Sequence, residues 1–422
     1  MAIVLAALVA VALFWPSRWY PSFHPRHNAS HWEYWLASLA SGPMVGATIG
    51  PDGRSVTPSY YEFEPGFAEA VNAEKTRLEA EGHFLPFAAL LEDGGRMRSQ
   101  VLLNFWGRDR KQWAAHPELT DFDPFEEGPM PWMAGSEVLF FHRDGSAAFS
   151  IEVEGGEGMF QPVPAFSEGL CAVPTGVRDS TTSFHAMAED GTVYSPAREL
   201  TGFGFVRPDG SWGIAPQFED ALPFREGLAA VKQDGRWGYI DPAGAFAIEP
   251  RYSSALSFSE GLAAVGDAGS PWGYIAPDGS WAIEPRFTSA GPFSEGLAPA
   301  AVNKARGGVS STLYGYIGPD GSWTIEPRYY FAMPFSSGLA PVVLERHQMG
   351  LKDDYAYINP EGEVVIPGPF LYAMPFQAGE AMTMRRVSLA RWLVSPGRSF
   401  PAMPWSTEVG TIYGIDEDFV DE

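Results

Sequence analysis

Short runs of alternating apolar and polar residues fill the second half of the chain, in an order that returns five times. In each copy an aromatic residue precedes Gly-Tyr-Ile or a close variant, a Pro-x-Gly turn follows, and a second alternating run comes next. Period-two alternation in that second run assigns Trp281, Ile283 and Phe287 to a core face. The intervening Glu-Pro-Arg residues fall on the outer face, where we expect opposite charges to pair between neighbouring copies.

Each copy is predicted to be a meander of about three short strands. Proline presets φ for the turn and glycine accepts a positive φ, so Pro-x-Gly indicates a hairpin. A Phe and a Gly then precede a short Leu-Ala-Ala-Val strand. The triplets begin at spacings of 34, 35, 42 and 41 residues, at Gly204, Gly238, Gly273, Gly315 and Ala356.

The predicted fold class is mainly β, a tandem array of short antiparallel β-meander repeats with an N-terminal membrane helix and a few short helices. An open, solenoid-like array is favoured over a closed β-propeller. Propeller blades usually have four strands and about 40 or more residues, whereas two units here have only 34 and 35.

The repeated pattern resembles the bacterial WG-repeat family. The resemblance rests on Trp237-Gly238 and Trp272-Gly273 together with the Pro-Asp-Gly, Ile-Glu-Pro-Arg-Phe and Phe-Ser-Glu-Gly-Leu-Ala elements, over roughly residues 202–387. Three copies carry Phe203, Tyr314 or Tyr355 in place of Trp. The resemblance implies a β-repeat array used as a binding or scaffolding surface, with no shared catalytic residues.

Degenerate copies of the repeat extend the pattern towards the N-terminus. Phe166–Val173 matches the end of a repeat, and Glu189-Asp190-Gly191 marks a further turn. Gly50-Pro51-Asp52-Gly53 has the form of the hairpin turn. Terminal units of a repeat stack are often atypical because they cap its core. Cys171 is then expected at a buried or half-buried strand position.

Two insertions distinguish the later copies. Eleven residues separate Val302 from Tyr314, and eleven separate Val343 from Tyr355, against five and six in the two preceding units. Insertions at equivalent places project from the same side of a stack. They carry positive charge in an acidic chain, so we predict a partner-binding surface at Lys304, Arg306, Arg346, His347 and Lys352.

The N-terminus predicts a membrane segment. Met1–Trp15 is an unbroken apolar run, about 22 Å long as a helix, which fits a membrane anchor or a signal-peptide core. A Ser-x-x-Glu capping box opens a short helix at Ser30. The aromatic residues around these segments are typical of a membrane interface, and we assign Trp15, Trp19, Tyr20, Trp32 and Trp35 to it.

The domain organisation follows from these patterns. A helix is predicted over Phe67–Glu81, and the stretch from Glu118 to Glu168 has eleven acidic residues against one arginine. We divide the chain into 1–23, a hydrophobic anchor or signal; 24–136, a mixed α/β linker segment with short helices; 137–201, degenerate β-repeats; 202–387, five WG-like β-repeats; and 388–422, an acidic C-terminal tail.

Charge and composition narrow the function. The chain has 422 residues, 28 Lys and Arg, 52 Asp and Glu and one cysteine, with a net charge of −24. Nucleic-acid binding is disfavoured because phosphate contacts need basic residues, and one cysteine excludes an internal disulfide. Motifs for phosphate loops, zinc proteases and serine hydrolases are absent from the sequence. We therefore expect no enzyme, no cofactor and no metal site.

The predicted function is a membrane-anchored, non-catalytic scaffold that binds another protein, as an accessory subunit of a membrane complex. Its location would be the bacterial cell envelope, with the side of the membrane undecided. The alternative is an exported cell-envelope carbohydrate-binding protein, motivated by the 14 Trp. Burial of Trp212, Trp237, Trp272, Trp281 and Trp323 would remove its basis, and we expect them buried.

Overall fold

The computed structural model describes residues 44–58, 60–80, 96–98, 123–134, 136–156, 163–179, 198–267, 271–306, 309–346, 353–377 and 379–386. Nearly all of them belong to one compact unit that includes Val45–Arg178 and Arg198–Arg385. The predictions for the N-terminal apolar segment, the helix at Ser30 and the acidic tail lie outside the described residues. Within the described part, no helix has the length and apolar character needed to cross a membrane.

The described chain is mainly β, with many small antiparallel sheets. Its one helix, α1 (Phe67–Ala80), confirms the helix predicted over Phe67–Glu81. Phe67 and Val71 on its apolar face are buried against Phe63, Phe125 and their neighbours. This cluster is separate from the cores of the repeats.

Strands β2 to β11 form four small sheets, and β1 belongs to a closing sheet described below. A two-stranded sheet pairs β2 with β3, an upstream sheet has the order β4-β5-β6, and an entry sheet has the order β11-β10-β7. Strands β8 and β9 pair with each other. The bounds are β1 (Met44–Ile49), β2 (Tyr60–Glu62), β3 (Arg96–Arg98), β4 (Met130–Ala134), β5 (Glu137–Phe141), β6 (Ala147–Glu152), β7 (Cys171–Val173), β8 (Gly176–Asp179), β9 (Arg198–Thr201), β10 (Phe203–Val206) and β11 (Trp212–Phe218).

Four consecutive sheets of four strands follow, and we number them sheets 1 to 4. In each, the strands are hydrogen-bonded in chain order. Sheet 1 has β12 (Asp220–Ala221), β13 (Ala229–Gln233), β14 (Arg236–Ile240) and β15 (Phe246–Tyr252); sheet 2 has β16 (Ser254–Ala255), β17 (Ala263–Gly266), β18 (Trp272–Ile275) and β19 (Trp281–Phe287). Sheet 3 has β20 (Ser289–Ala290), β21 (Ala298–Arg306), β22 (Val309–Ile317) and β23 (Trp323–Tyr329); sheet 4 has β24 (Phe331–Ala332), β25 (Ala340–Arg346), β26 (Asp353–Ile358) and β27 (Val364–Phe370).

The prediction of about three strands per unit was therefore one strand short. The first strand of each numbered sheet has only two residues, such as Ser254–Ala255. A two-residue strand shows no alternation, so the sequence pattern hides it. Because this strand adds so little length, a four-stranded unit fits within 34 or 35 residues.

A closing sheet joins the two ends of the described chain. Strand β28 (Tyr372–Ala373) pairs with β29 (Ala381–Arg386), and β29 pairs in turn with β1. The Thr383 hydroxyl donates to the Ala47 carbonyl at 3.2 Å. Ile49 is buried in one cluster with Tyr357, Ile366 and Phe376 of the last repeat. The N-terminal strand thus shares a core with the C-terminal strands.

Close backbone approach explains the glycine of the Trp-Gly pair. A Cβ atom on Gly238, Gly273 or Gly315 would lie 2.5, 2.6 or 2.3 Å from a carbonyl oxygen of the facing strand. Such distances are far below van der Waals contact, so only glycine fits. The copy with Ala356 moves the glycine to the opposite strand, where a Cβ on Gly368 would lie 2.2 Å from the Tyr355 carbonyl oxygen.

Candidate interaction surface

The numbered sheets have two distinct ends. In a four-stranded meander, the turns between strands one and two and between strands three and four lie at the same end. We call this the turn end; it carries the Phe-Ser-Glu-Gly and Pro-Asp-Gly turns. The opposite end carries the hairpins between strands two and three, and we call it the hairpin end.

Side chains at the turn end tie each sheet to the next. The Ser259 hydroxyl in sheet 2 donates to the Phe293 carbonyl of sheet 3 at 2.7 Å. The equivalent Ser294 donates to Phe335 of sheet 4 at 2.6 Å. These serines are buried, so each bond satisfies a polar group that would otherwise destabilise the core.

The glutamate after each serine makes a second tie. The Gly296 N–H donates to Glu260 Oε2 at 3.0 Å, and the Gly338 N–H donates to Glu295 Oε2 at 3.0 Å. Both glutamates have positive φ, 53° and 56°, which costs about 1 kcal/mol for a residue other than glycine. The carboxylate bond to the neighbouring sheet supplies a compensating interaction. The same tie joins Glu127 to Gly169, Glu168 to Gly227 and Glu226 to Gly261.

Buried tyrosines make a third tie. Tyr239, Tyr274, Tyr316 and Tyr357 are fully buried, one in each numbered sheet. Each phenol donates to a main-chain carbonyl at the start of the following sheet, and burial raises the pKa of Tyr239 and Tyr316 well above the usual range. Their hydroxyls therefore stay protonated and act as donors.

Arginine makes the fourth tie, in a way that the sequence analysis did not anticipate. We expected Arg251, Arg286 and Arg328 to pair with glutamates of neighbouring copies. Instead, each guanidinium donates to the carbonyl of a turn glycine in the next sheet: Arg251 to Gly279 at 2.7 Å, Arg286 to Gly321, and Arg328 to Gly362 at 2.5 Å. The guanidinium also covers the aromatic ring of the following residue. We call this contact the arginine clamp.

Two neighbouring hairpins are extended at the hairpin end. In sheet 1, Asp234-Gly235 connects β13 to β14 as a two-residue turn with positive φ at both positions. In sheet 3, β21 and β22 continue their pairing from Ala298–Ile317 out to Arg306–Val309. In sheet 4, β25 and β26 extend to a pairing of Arg346 with Asp353. The insertions therefore lengthen the same hairpin in adjacent sheets, as their position predicted.

The predicted basic residues lie on or next to these hairpins. Lys304 is exposed on β21, and its Nζ lies 3.6 Å from Glu326 Oε2 and 3.3 Å from the Pro327 carbonyl. The positive charge of Lys304 is thus partly compensated within sheet 3. Arg306 and Arg346 lie in the extended strands, while His347 and Lys352 lie outside the described residues, as do the predicted interface residues Trp15, Trp19, Tyr20, Trp32 and Trp35.

A third extended hairpin was not identified from the sequence. Strand β7 pairs directly with β10, and β8 with β9 lies between them in the chain. The described residues 174–179 and 198–202 therefore continue this hairpin beyond the pairing of β7 with β10. The turn signal at Glu189-Asp190-Gly191, which lies outside the described residues, had pointed instead to a separate repeat.

Burial of the five repeat tryptophans is mixed. Trp237 is buried, as expected, but Trp212, Trp272 and Trp323 are half-buried and Trp281 is 38% exposed. The Trp281 ring packs edge-on against Tyr252 of sheet 1 at a centroid distance of 6.0 Å. Trp323 packs in the same way on Phe287 at 5.6 Å. These rings join neighbouring sheets at their outer strands, which accounts for their partial exposure.

The described part of the acidic stretch is organised by specific contacts. Asp123 accepts from the Tyr61 hydroxyl at 2.9 Å, from the Phe125 N–H at 2.9 Å and from Arg143 at 2.5 Å. Partial burial favours the neutral acid, but these donors outweigh it and lower the pKa of Asp123. Cys171 is buried as expected, and burial raises the pKa of its thiol.

The repeats match a known family. The sequence profile described as "WG containing repeat" matches residues 203–237, 237–266, 272–304 and 314–345. Residues 203–345 therefore contain four WG-containing repeats. The fifth copy lies beyond these matches, although sheet 4 and the closing sheet extend the same arrangement through it. No curated protein matches the chain.

Several solved structures are similar in parts. The computationally designed Ika8 protein has 9% identity and a TM-score of 0.27, over 62% of this chain and 94% of its own. The WD40 β-propeller domain of Doa1 has 11% identity and a TM-score of 0.29, over 60% and 87%. The extracellular domain of BT3049 from B. thetaiotaomicron has 8% identity and a TM-score of 0.27, over 61% and 40%. These similarities are too weak to support an argument about function.

Proposed function

We propose that this chain is a non-catalytic scaffold that binds another protein through the extended hairpins of sheets 3 and 4. The N-terminal apolar segment would anchor it in a bacterial envelope membrane, as an accessory subunit of a membrane complex. The observation that carries the proposal is the extension of the same hairpin in two adjacent sheets. We assign Lys304, Arg306 and Arg346 to this surface, and we propose that His347 and Lys352, which lie outside the described residues, contribute to it.

Apart from Leu313 and Leu344 at their base, the described residues of the extensions lie outside the buried clusters. Sheet 1 makes the same connection with Asp234-Gly235 alone. On the extended arm of sheet 3, Asn303, Lys304 and Thr312 are exposed, and Thr312 donates to Asn303 at 2.9 Å. Exposed strand pairs gain little apolar burial, so the extra residues add little to stability. Exposed main-chain and basic groups on a supported hairpin are suited to binding a partner with acidic or extended segments.

Site-specific photo-crosslinking in native membranes tests this proposal. A photoreactive residue at Thr312 should cross-link to a distinct protein, whereas the same residue at exposed Ser280 on the turn end should not. A trimmed variant, in which residues 303–312 are replaced by an Asp-Gly turn, should fold normally and lose the partner. Equal cross-linking from both ends, or an unchanged partner after trimming, would contradict the proposal.

We further propose that the array closes on itself, with propeller-like connectivity, instead of remaining open as the repeat spacing favoured. Pairing of β1 with β29 supports closure. The turn Gly50–Gly53 also repeats the hydrogen bonds of Gly318–Gly321, with 2.9 and 2.8 Å for the glycine N–H. Finally, a Cβ on Gly53 would lie 2.8 Å from Ile366 Cγ2, the same distance as from Gly321 to Ile283 Cγ2. The N-terminal turn therefore contacts sheet 4 as the next repeat would.

Carbohydrate binding is the second candidate, and the exposure of Trp281 favours it. An exposed aromatic ring can stack on a sugar, although this ring already contacts Tyr252. Titration with envelope polysaccharide fragments, followed by tryptophan fluorescence, distinguishes the candidates. Polysaccharide binding that disappears in Trp281→Ala but survives hairpin trimming would favour a carbohydrate-binding function over protein binding by the hairpins.

A further inference from the structure

The N-terminal segment 44–58, which we call the N-terminal clasp, completes the closing sheet without two of the side-chain contacts that sheets 2 to 4 have. Its β1 is the third strand, and its Gly50–Gly53 turn occupies the place of a Pro-Asp-Gly turn. Equivalent turns in sheets 2, 3 and 4 each receive an arginine clamp. In sheet 4, Pro369 stands where the clamping arginine stands in sheets 1 to 3. Proline has no side-chain donor, so the Gly50–Gly53 turn receives no clamp from this position.

The clasp also lacks the buried tyrosine. By alignment on the isoleucine before each turn, Thr48 stands where Tyr316 and Tyr357 stand in sheets 3 and 4. Those tyrosines are fully buried and tie their strands to the following sheet at 2.7 Å. Thr48 is buried too, but it is much smaller and cannot span the same distance.

The closing sheet has an unusually polar interior. Among the described residues, every buried polar or charged residue that is not a serine lies in it: Thr48, Gln377, Glu380 and Thr383. Gln377 and Glu380 flank one turn as a bridged pair, so their side chains share a face. Gln377 is 8% exposed, and its Nε2 has no hydrogen-bond partner within the described chain. Polar burial reduces the apolar gain of keeping the sheet closed.

The glutamate contact is also missing between sheet 4 and the closing sheet. The glutamate that bonds the next glycine N–H is replaced by Ser337, which also has a positive φ of 56°. Within the described residues, no side chain bonds the Gly379 N–H. The remaining ties at this joint, from Ser336 to Phe376 and from Tyr357 to Met374, hold the C-terminal strands and not the clasp.

We infer that the N-terminal clasp is a releasable closing element, which opens while sheets 1 to 4 stay folded. Opening would expose the edge of β29 that pairs with β1, together with Thr383, whose hydroxyl bonds the Ala47 carbonyl. The clasp follows the segment predicted to be a membrane anchor in the chain. This inference rests on the pairing of β1 with β29 and does not depend on the proposed partner.

Hydrogen exchange of the full chain, resolved by amide, tests the inference. Each Pro-x-Gly turn has the same bond, from the glycine N–H to a carbonyl three residues earlier: Gly53 to Gly50 at 2.9 Å, Gly321 to Gly318 at 2.8 Å and Gly362 to Asn359 at 2.8 Å. The amides of Gly53, Thr48 and Ile49 should exchange at least about tenfold faster than their counterparts in sheet 3, because two ties are missing.

One variant tests whether the missing arginine clamp is a cause of the faster exchange. Arg328→Ala removes the clamp from Gly362 and should speed exchange there by about fivefold, without affecting Gly321. Equal protection of Gly53 and Gly321 in the unmodified chain would overturn the inference. An unchanged Gly362 rate in Arg328→Ala would overturn the role assigned to the clamp.

Discussion

Replacement of Gly315 by alanine should destabilise the array through a main-chain clash. The added methyl would lie 2.3 Å from the Ile325 carbonyl oxygen and 2.7 Å from the Pro327 nitrogen, both on the facing strand β23. Neither atom can rotate away, so β22 and β23 must separate. Overpacking of this kind costs about 1–3 kcal/mol. Glycine-to-alanine replacement returns about 0.4–1 kcal/mol through the unfolded state, so we expect a net loss of about 1–2 kcal/mol.

Gly318→Ala is the matched control. It makes the same chemical change three residues away, where the nearest atom to the new Cβ is Asp320 Oδ1 at 3.3 Å. Ala276 already occupies the equivalent place in sheet 2. We expect this variant to remain within about 0.5 kcal/mol of the unmodified chain. Urea unfolding followed by near-ultraviolet circular dichroism measures both, and equal midpoints for the two variants would refute the reasoning.

Sheet 4 provides a natural second test. There Ala356 stands in place of the glycine, and Gly368 stands in place of Pro327, close to the Tyr355 carbonyl. Adding Pro327→Gly to Gly315→Ala should therefore recover part of the lost stability, since the facing strand can shift as it does in sheet 4. If the double variant is destabilised by the sum of the two single effects, glycine on the facing strand does not compensate for alanine at the Trp-Gly position.

Three further predictions follow from individual contacts. Tyr316→Phe leaves the buried Met333 carbonyl without its donor at 2.7 Å, so thermal unfolding should show a loss of about 1–3 kcal/mol; no loss would contradict the tyrosine tie. The lowered pKa of Asp123 stabilises the fold above its ordinary value of 3.8, and this contribution is lost as pH falls below that value; Asp123→Asn should therefore flatten the acid side of the stability profile, and an unchanged profile would exclude the Arg143 pair as its cause. Cys171 is buried with a raised thiol pKa, so a thiol reagent at pH 8 should react only after unfolding; rapid reaction with the native chain would contradict its burial.

Local turn chemistry explains why much of the repeat was predictable. Pro-x-Gly with positive φ at Gly279 and Gly321 forms where the sequence places it, and the helix beginning at Phe67 follows its apolar spacing. Burial of Ile283 and Phe287 also agrees with the alternation. Trp281 does not, because it begins the outer strand and only one neighbouring ring covers it.

Contacts to main-chain carbonyls could not be predicted in the same way. The arginine clamp joins Arg286 to a carbonyl, a group that every residue carries, so the sequence does not mark its acceptor. Pairing of β1 with β29 joins distant segments, which periodicity cannot detect. The one available signal was the turn at Gly50–Gly53, whose likeness to the repeat turns is confirmed by its hydrogen bonds.

The central claim is that the N-terminal turn takes the place of the next repeat after sheet 4. Spin labels on exposed Ser280, Ser322, Glu363 and Arg54 would occupy equivalent positions after successive turn glycines, and the buried Cys171 would stay unlabelled. Pulsed electron paramagnetic resonance then measures the distances between labels on successive turns, and the distances within sheets 2 to 4 serve as the internal reference. If the N-terminal turn takes that place, the distance between the labels at Glu363 and Arg54 should equal those between Ser280 and Ser322 and between Ser322 and Glu363. A markedly longer distance from 363 to 54 would contradict it.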